Sequence, residues 1–238
     1  MTSLTVGGVE VATCVVNPPL DVRLAPRPYL HPVRTLGGTV VTDELCFDHP
    51  WHLGASVTLA DVNGWNFWGG RTYVRDRGYV WLDDHGTIRQ EDPETLLWLD
   101  GEGTTVLTER RRITGAPADG GWELSFRYGL TAAAEQVTLG SPATNGRTGA
   151  GYGGFFWRCP PGPAVASEPH GSSALSLTLA VPGRYSLTFS GLAGDDRWFV
   201  RTDEYVGVCA ALAWEKPLVL AAGETLTRHL RVLVADAA

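Results

Sequence analysis

The sequence has little positive charge and no clustered cysteines. Only one of its 19 basic residues, Lys216, is a lysine, and the formal net charge is −7. A nucleic-acid site needs clustered basic side chains that neutralise phosphates, so this charge balance argues against a nucleic-acid partner. The four cysteines are widely spaced and form no Cys-x-x-Cys pair, which predicts buried, reduced thiols rather than a disulfide framework.

Long apolar runs and a leader segment are also missing. No stretch approaches the roughly 20 apolar residues that a membrane-spanning helix needs. The segment from Met1 to Gly7 lacks the charged start and the apolar stretch of a signal peptide. We therefore expect a cytoplasmic protein without a membrane partner.

The pattern of apolar and polar residues predicts strands. Apolar and polar residues alternate over 122–130, 175–181 and 226–234, and this period of two is typical of half-buried strands. Pro182-Gly183 follows one such run and precedes another, which predicts a hairpin. No window long enough for a helix shows helical spacing. We predict one all-β domain over 1–238, an antiparallel sandwich with few or no helices.

A glycine-rich segment over 140–163 interrupts the alternation. It contains too many glycines for a regular strand, and too many aromatic residues and arginines for a flexible linker that has no function. Long loops in compact domains are usually functional when they are ordered. We predict an ordered loop that supplies Asn145, Arg147, Tyr152 and Arg158 as substrate-binding side chains.

The densest cluster of chemically useful side chains is Asp48-His49-Pro50-Trp51-His52. Two imidazoles beside a carboxylate can supply a general acid and base near neutral pH, or two nitrogens to a metal ion. Pro50 fixes its own φ and restricts His49 to extended backbone, so the pair belongs on a stiff turn rather than a helix. We predict that His49 and His52 are catalytic.

Two further residues are candidates for the same site. Glu109 shares a strand face with apolar neighbours, which is unusual for a carboxylate unless it is paired or lies in a cleft. We name it as a third acid–base candidate, although an inward ion pair with an arginine explains the pattern equally well. His31 is a substrate-binding candidate and, in a metal alternative, a third ligand beside His49 and His52.

Aromatic residues suggest the class of ligand. Most of the nine tryptophans are expected in the core, because tryptophan is highly buried on average. Trp51 and Trp68 lie close in sequence to histidine and asparagine, and we place them in the cleft. Apolar ring faces beside polar donors suit a sugar, which presents C–H faces and a rim of hydroxyls. We therefore predict a small-molecule carbohydrate as partner.

Together these motifs resemble the PmoA-like family of bacterial proteins, which is labelled methane oxygenase PmoA. The resemblance covers nearly the whole chain and is carried by Arg27–Pro32, Asp48–Gly54, Asn63–Gly69, Gly151–Arg158 and Trp198–Arg201. The membrane methane oxygenase subunit spans a bilayer many times, and this sequence has no spanning segment, so we do not expect methane oxidation. The resemblance implies a β-supersandwich similar to galactose mutarotase. In such folds a histidine acid and a carboxylate base act on a concave sheet face, and by analogy those roles would fall on His49, His52 and Glu109.

The leading hypothesis is a carbohydrate-active enzyme that acts on a sugar or an oxidised glycoside by histidine and carboxylate acid–base chemistry. Isomerase, lyase and hydrolase reactions all fit, and the sequence identifies no cofactor for them. One alternative is an enzyme that binds a divalent metal at the Asp48–His52 cluster. A second is a non-catalytic carbohydrate-binding domain, and a third is oxygenase chemistry with iron or copper. The oligomeric state is left open, with a homo-oligomer as one option.

Overall fold

The computed structural model describes residues 2–237, which form twenty strands and one turn of 3-10 helix at Val22–Leu24. The first ten strands are β1 (Thr2–Val6), β2 (Val9–Val15), β3 (Tyr29–Val33), β4 (Ala55–Leu59), β5 (Asp61–Val62), β6 (Thr72–Val74), β7 (Gly78–Val80), β8 (Thr87–Gln90), β9 (Thr95–Leu99) and β10 (Thr105–Ala118). The other ten are β11 (Gly121–Ala132), β12 (Val137–Gly140), β13 (Gly153–Arg158), β14 (Val165–Ala166), β15 (Ser176–Val181), β16 (Tyr185–Ser190), β17 (Arg197–Arg201), β18 (Gly207–Ala211), β19 (Leu218–Leu220) and β20 (Thr225–Asp236). The prediction of an all-β chain with few or no helices is confirmed.

Two large antiparallel sheets form the sandwich. The first has seven strands in the order β1-β2-β3-β4-β13-β18-β17, and the second has eight in the order β14-β15-β16-β20-β11-β10-β9-β8. A three-stranded sheet (β19-β12-β5) and a two-stranded sheet (β6-β7) complete the topology. The predicted hairpin is present, because β15 and β16 pair across Pro182-Gly183. The similarity to galactose mutarotase stays a prediction.

The sandwich core follows from the alternation in the sequence. Along β11 every second side chain is buried, beginning with Trp122, and these side chains meet residues of the first sheet. The rings of Phe126 and Phe155, for example, lie 4.8 Å apart between centroids. One cluster of buried apolar side chains extends from Val6 to Val234. Burial of this apolar area is the main source of stability for the fold.

The glycine-rich segment contains a strand, so the expectation of a loop throughout 140–163 is wrong. The whole of β13 is buried, and it pairs with β4 on one side and β18 on the other. Gly154 has a φ of +137°, and a Cβ added there would lie 2.2 Å from the carbonyl oxygen of Ala210. Glycine is therefore needed for close approach of two backbones inside a sheet.

The outer face of the seven-stranded sheet is also covered, by loops and by the small β6-β7 sheet, whose Tyr79 contacts Tyr152. Phe155 and Trp157 point into the sandwich core, whereas Phe156 points to the opposite side because neighbouring strand residues alternate. There it packs with Trp68 and Phe199 in a second, smaller apolar cluster. Trp51, Tyr152 and Tyr205 also pack against this second cluster.

Two other predictions concern the cysteines and the membrane. All four cysteines are free, as predicted, and Cys159 and Cys209 are buried. Cys14 and Cys46 are only half-buried, so the expectation of complete burial is wrong for these two. Within residues 2–237 no helix is long and apolar enough to cross a membrane.

Candidate active site

The Asp48–His52 segment forms the stiff turn that its proline predicts. The backbone N–H of His52 donates to the carbonyl oxygen of His49 at 2.9 Å. Pro50 therefore occupies the second position of a four-residue turn, where its fixed φ is favoured. The imidazole rings of His49 and His52 stack, with centroids 4.6 Å apart and planes 9° from parallel. The spacing of three residues thus brings both rings to one side of the turn.

A cavity of about 450 Å³ lies against this turn, and its volume is typical of small-molecule sites. Its lining combines aromatic ring faces, two imidazoles, three guanidinium groups and one carboxylate. Six residues that the sequence placed in the site line it together: His49, Trp51, His52, Trp68, Arg147 and Tyr152.

Asp48 fixes the orientation and the tautomer of His49. Its carboxylate accepts a hydrogen bond from Nδ1 of His49 at 2.8 Å and two contacts from Nη2 of Arg158 at 3.0 and 3.1 Å. Burial raises the pKa of Asp48, but the hydrogen bond from His49 and the charge of Arg158 together bring that pKa below its ordinary value. Because an ionised carboxylate only accepts, Nδ1 of His49 carries a proton and Nε2 is the nitrogen free for proton transfer.

The contacts of His52 favour the other tautomer. Nη1 of Arg158 lies 3.1 Å from Nδ1 of His52, and because a guanidinium only donates, Nδ1 accepts and the ring proton is on Nε2. Burial, helped by the charges of His49 and Arg158, lowers the pKa of His52 well below its ordinary value. His52 is therefore a neutral hydrogen-bond donor, while His49 is the group that is equipped to exchange a proton.

The two predicted tryptophans are held from beneath by a buried arginine. Arg27 is fully buried and donates to the carbonyl oxygens of Trp51 at 2.9 Å and Trp68 at 3.3 Å. Burial lowers the pKa of Arg27 to about 9, which still leaves it charged at neutral pH. Gly70, with a φ of +71°, lies so close to the indole of Trp51 that an added Cβ would be 2.6 Å from it. Both aromatic surfaces are therefore rigid.

A second part of the lining, called here the aromatic wall, runs from Arg147 through Tyr79, Tyr152 and Phe199 to Arg201. Nη1 of Arg147 donates to the hydroxyl of Tyr79 at 2.6 Å, and that hydroxyl lies 3.0 Å from the hydroxyl of Tyr152. The ring of Tyr152 packs against Phe199 with centroids 5.5 Å apart. The guanidinium of Arg201 lies 4.3 Å from the Phe199 centroid. This wall therefore has an arginine at each end.

Glu109 is not brought to the cavity. It is fully buried between the two large sheets, where it accepts hydrogen bonds from Arg111 at 2.6 and 3.0 Å and from Trp98 at 2.9 Å. The alternative of an inward ion pair describes it correctly. Its strand face points into the sandwich, away from the outer sheet face that carries the histidines, so the predicted partnership with them is corrected. The carboxylate in the cavity lining is Glu204.

Three other predicted substrate contacts do not line the cavity. His31 bonds with Thr42 at 3.0 Å, away from the cavity. Arg158 lies beneath the site, 3% exposed, and contacts His52 and Asp48 rather than open space. Direct substrate contact is therefore corrected for His31 and Arg158. Asn145 donates to Asp61 at 3.0 Å and lines a small pocket beside the cavity, so its role stays a prediction.

The metal alternative does not fit the arrangement. Imidazole lone pairs lie in the ring planes, so the two nearly parallel rings of His49 and His52 cannot both point at one ion about 2.0–2.1 Å away. His31, the proposed third ligand, does not line the cavity. In the described part of the chain no group of three or more His, Cys, Asp or Glu residues is arranged to hold a metal ion.

Comparison with known proteins gives a family without an assigned activity. The model of DUF6807, a family of unknown function, matches residues 1–238. The chain belongs to the DUF6807 family. No curated protein matches it. A solved structure named polysaccharide lyase is 15% identical with a TM-score of 0.43, over 96% of this chain and 33% of that one. The DUF6807 chain thus spans about a third of that protein's length, and its resemblance to the PmoA-like family stays a prediction.

Sequence reasoning did not assign several lining residues of the DUF6807 chain to the site. They are Arg71, Tyr79, Trp81, Phe199, Arg201, Glu204 and Tyr205. One local signal was available, because Trp198 and Val200 alternate with Phe199 and Arg201 along β17. One face of this strand is apolar, and the other carries an aromatic residue and an arginine. This pattern indicates a strand that packs on the core with one face and can contact a ligand with the other. Most of the others come from segments that only the fold brings together.

Proposed function

We propose that this DUF6807 protein is a carbohydrate-active enzyme that transfers protons with His49. The observation that carries the proposal is the pairing of His49 with Asp48 at the edge of an open cavity. The carboxylate holds the ring in one orientation and one tautomer, and Nε2 stays available toward a bound molecule. A histidine held in this way is the usual general base or acid near neutral pH.

The remaining lining supports a sugar as the bound molecule. Trp51, Trp68 and Trp81 supply apolar ring faces that can cover the C–H faces of a sugar. The Nε2–H group of His52 and the hydroxyl of Tyr205 supply donors for sugar oxygens. Burial raises the pKa of Tyr205, so its hydroxyl stays protonated. Rigid apolar surfaces with a few placed polar groups are typical of small-molecule sites.

The reaction class follows from the available proton-transfer groups. Isomerisation, elimination and hydrolysis of a glycoside each need one group that accepts a proton and another that donates one. His49 takes one of these roles, and either Glu204, as proton acceptor, or Tyr205, as proton donor, takes the other, because both line the same cavity. In this proposal His52 holds the substrate and does not exchange a proton.

The test measures turnover and binding separately in the same variants. Neutral and oxidised mono- and disaccharides are incubated with the protein in D2O, and new products and deuterium uptake into the sugar are followed by NMR. We expect His49→Ala to lower turnover by roughly 10²- to 10⁴-fold while changing sugar affinity, measured by calorimetry, only a few-fold. His229→Ala, which alters the other sheet, is the matched control.

If His49→Ala turned sugars over as fast as the unchanged protein, the role of His49 would be wrong. Binding of sugars without turnover in any variant would favour the non-catalytic binding domain instead. In that case Trp51→Ala and Trp68→Ala should weaken binding, and His49→Ala should not.

A further inference from the structure

The cavity is cationic although the protein as a whole is acidic. Its lining includes Arg71, Arg147 and Arg201 but only one carboxylate, Glu204, while the chain has a net charge of −7. Among residues 2–237 none of these three arginines forms an ion pair. The arginines in ion pairs are Arg89, Arg110, Arg111, Arg158, Arg228 and Arg231. The cavity therefore gathers positive charge that the protein itself does not neutralise.

Each of these guanidinium groups is stacked on an aromatic ring of the same lining. The Cζ atom of Arg147 lies 4.9 Å from the ring centroid of Tyr79, and that of Arg201 lies 4.3 Å from Phe199. Arg71 lies 5.9 Å from Trp81 in the same way. Stacking restricts the plane of a guanidinium but leaves its N–H edge available. The three groups are thus partly ordered before any ligand arrives.

Few of the donors at the two ends of the wall are already used. Arg147 donates one hydrogen bond, to Tyr79, and Arg201 donates to His170 and to the carbonyl oxygen of Val200. A guanidinium has five N–H donors and matches a carboxylate through two parallel hydrogen bonds. An anionic group in the cavity would therefore meet N–H donors without partners, as well as the positive charge of arginines that form no ion pair.

Building on the function proposed above, we propose that the substrate is a sugar acid whose carboxylate binds to the arginines of this cavity. The aromatic rings around Trp68 would hold the sugar ring, and Arg147 and Arg201 would hold its carboxylate. Arg147 and Arg201 line the same cavity as His49, so recognition of the acid and proton transfer are assigned to different side chains. A sulfate ester on a sugar presents similar charge, and the test separates the two groups.

The test is a calorimetric comparison of charged and neutral sugars of the same shape. The probes are D-glucuronic acid and D-galacturonic acid, against D-glucose, D-galactose and D-glucuronamide. We expect each acid to bind at least roughly tenfold more tightly than its neutral counterparts, because hydrogen bonds to charged groups are the strong ones. Arg147→Gln and Arg201→Gln should each lower acid affinity roughly tenfold and leave glucose affinity unchanged.

Two controls keep the test interpretable. Arg112→Gln removes the same charge from an exposed position on β10 and should bind the acids like the unchanged protein. Arg201→Lys keeps the charge without the planar fork and should retain part of the affinity. Thermal unfolding of every variant identifies a loss of affinity that comes from misfolding.

Each other outcome has a defined meaning. Glucose or glucuronamide binding as tightly as the acids would overturn the carboxylate assignment and leave the proposed function standing. Glucose 6-sulfate binding as tightly as the uronic acids would overturn it in favour of general anion selection. If no sugar of either kind bound, both the sugar-acid inference and the proposed function would fall.

Discussion

Two arginine–carboxylate pairs in this protein have similar parts and different surroundings. Arg111 binds Glu109 between the sheets, and Arg158 binds Asp48 beneath the cavity. Both guanidinium groups also lie over a ring, at 5.1 Å from the Phe126 centroid and 4.7 Å from that of Tyr205. The carboxylate of the interior pair is 0% exposed, whereas that of Asp48 is 40% exposed.

The two pairs differ in what their carboxylates contact. Both oxygens of Glu109 are occupied by Arg111 and Trp98, and neither of these side chains exchanges protons near neutral pH. Asp48 contacts both Arg158 and His49, and so it orients the ring that we propose as the proton-transfer group and that lines the cavity. The residue types alone therefore do not distinguish an interior structural pair from one beside a candidate active site.

The largest effect on stability is expected for the interior pair. Glu109→Gln keeps the size of the side chain but leaves the charge of Arg111 buried without a partner. We expect the free energy of unfolding in urea to fall by about 3–5 kcal/mol, while the folded fraction keeps its turnover. Glu123→Gln, which breaks an exposed contact 3.9 Å from Arg231, should cost at most about 1 kcal/mol. Normal stability with lost turnover in Glu109→Gln would contradict the comparison.

For the pair of Asp48 and Arg158 beneath the cavity, we expect a large effect on turnover and a small effect on the free energy of unfolding. Asp48→Asn removes the charge that orients His49, and an amide can also present a donor to Nδ1 and favour the wrong tautomer. We expect turnover to fall roughly a hundredfold, with a smaller loss of stability than in Glu109→Gln because Asp48 is partly exposed. Asp203→Asn, an exposed residue near the site, serves as control. Unchanged turnover in Asp48→Asn would count against His49 as the proton-transfer group.

The smallest effect concerns His52 and pH. Its pKa is well below the ordinary value in the folded protein, mainly because the ring is buried. As pH falls below about 6.5, the unfolded chain takes up a proton that the folded protein does not, so the free energy of unfolding decreases. His52→Gln should remove this contribution, which is at most about 1.4 kcal/mol per pH unit.

The measurement is urea unfolding of both proteins between about pH 7 and about pH 5.5. The folded pKa values of His31, His170 and His229 are also lowered, so the difference between the two slopes, and not either slope alone, reports on His52. Identical slopes would show that His52 is protonated as easily in the folded as in the unfolded protein.

Features set by neighbouring residues were predictable from the sequence. The alternation over 122–130 became β11, and Pro182-Gly183 became the turn of a hairpin. The turn at Pro50 depends on a fixed φ and a spacing of three residues, so it too could be predicted locally. Such features need no knowledge of what packs against them.

Features set by distant neighbours were not predictable. From the sequence alone, the glycines of β13 indicate a loop. Their reason is the close approach of the Ala210 backbone to Gly154, and this contact appears only in the fold. The periodicity showed that Glu109 points inward, but not that the histidines lie on the other side of the opposing sheet. Arg71, Arg147 and Arg201 are far apart in sequence and meet only because separate segments fold over the outer face of the first sheet, whose strand β17 carries Arg201. A cluster of charges that distant residues form in the folded protein cannot be recognised in the composition of any one segment.

The placement of the tryptophans gives the protein an internal optical reporter. Trp51, Trp68 and Trp81 line the cavity, and Trp81 is 51% exposed to water. The four fully buried tryptophans (Trp98, Trp122, Trp157 and Trp198) do not line the cavity. We therefore expect a ligand that displaces water from the indole of Trp81 to shift the emission of this residue to shorter wavelength. Occupancy of the cavity can be followed in the unlabelled protein by its intrinsic fluorescence.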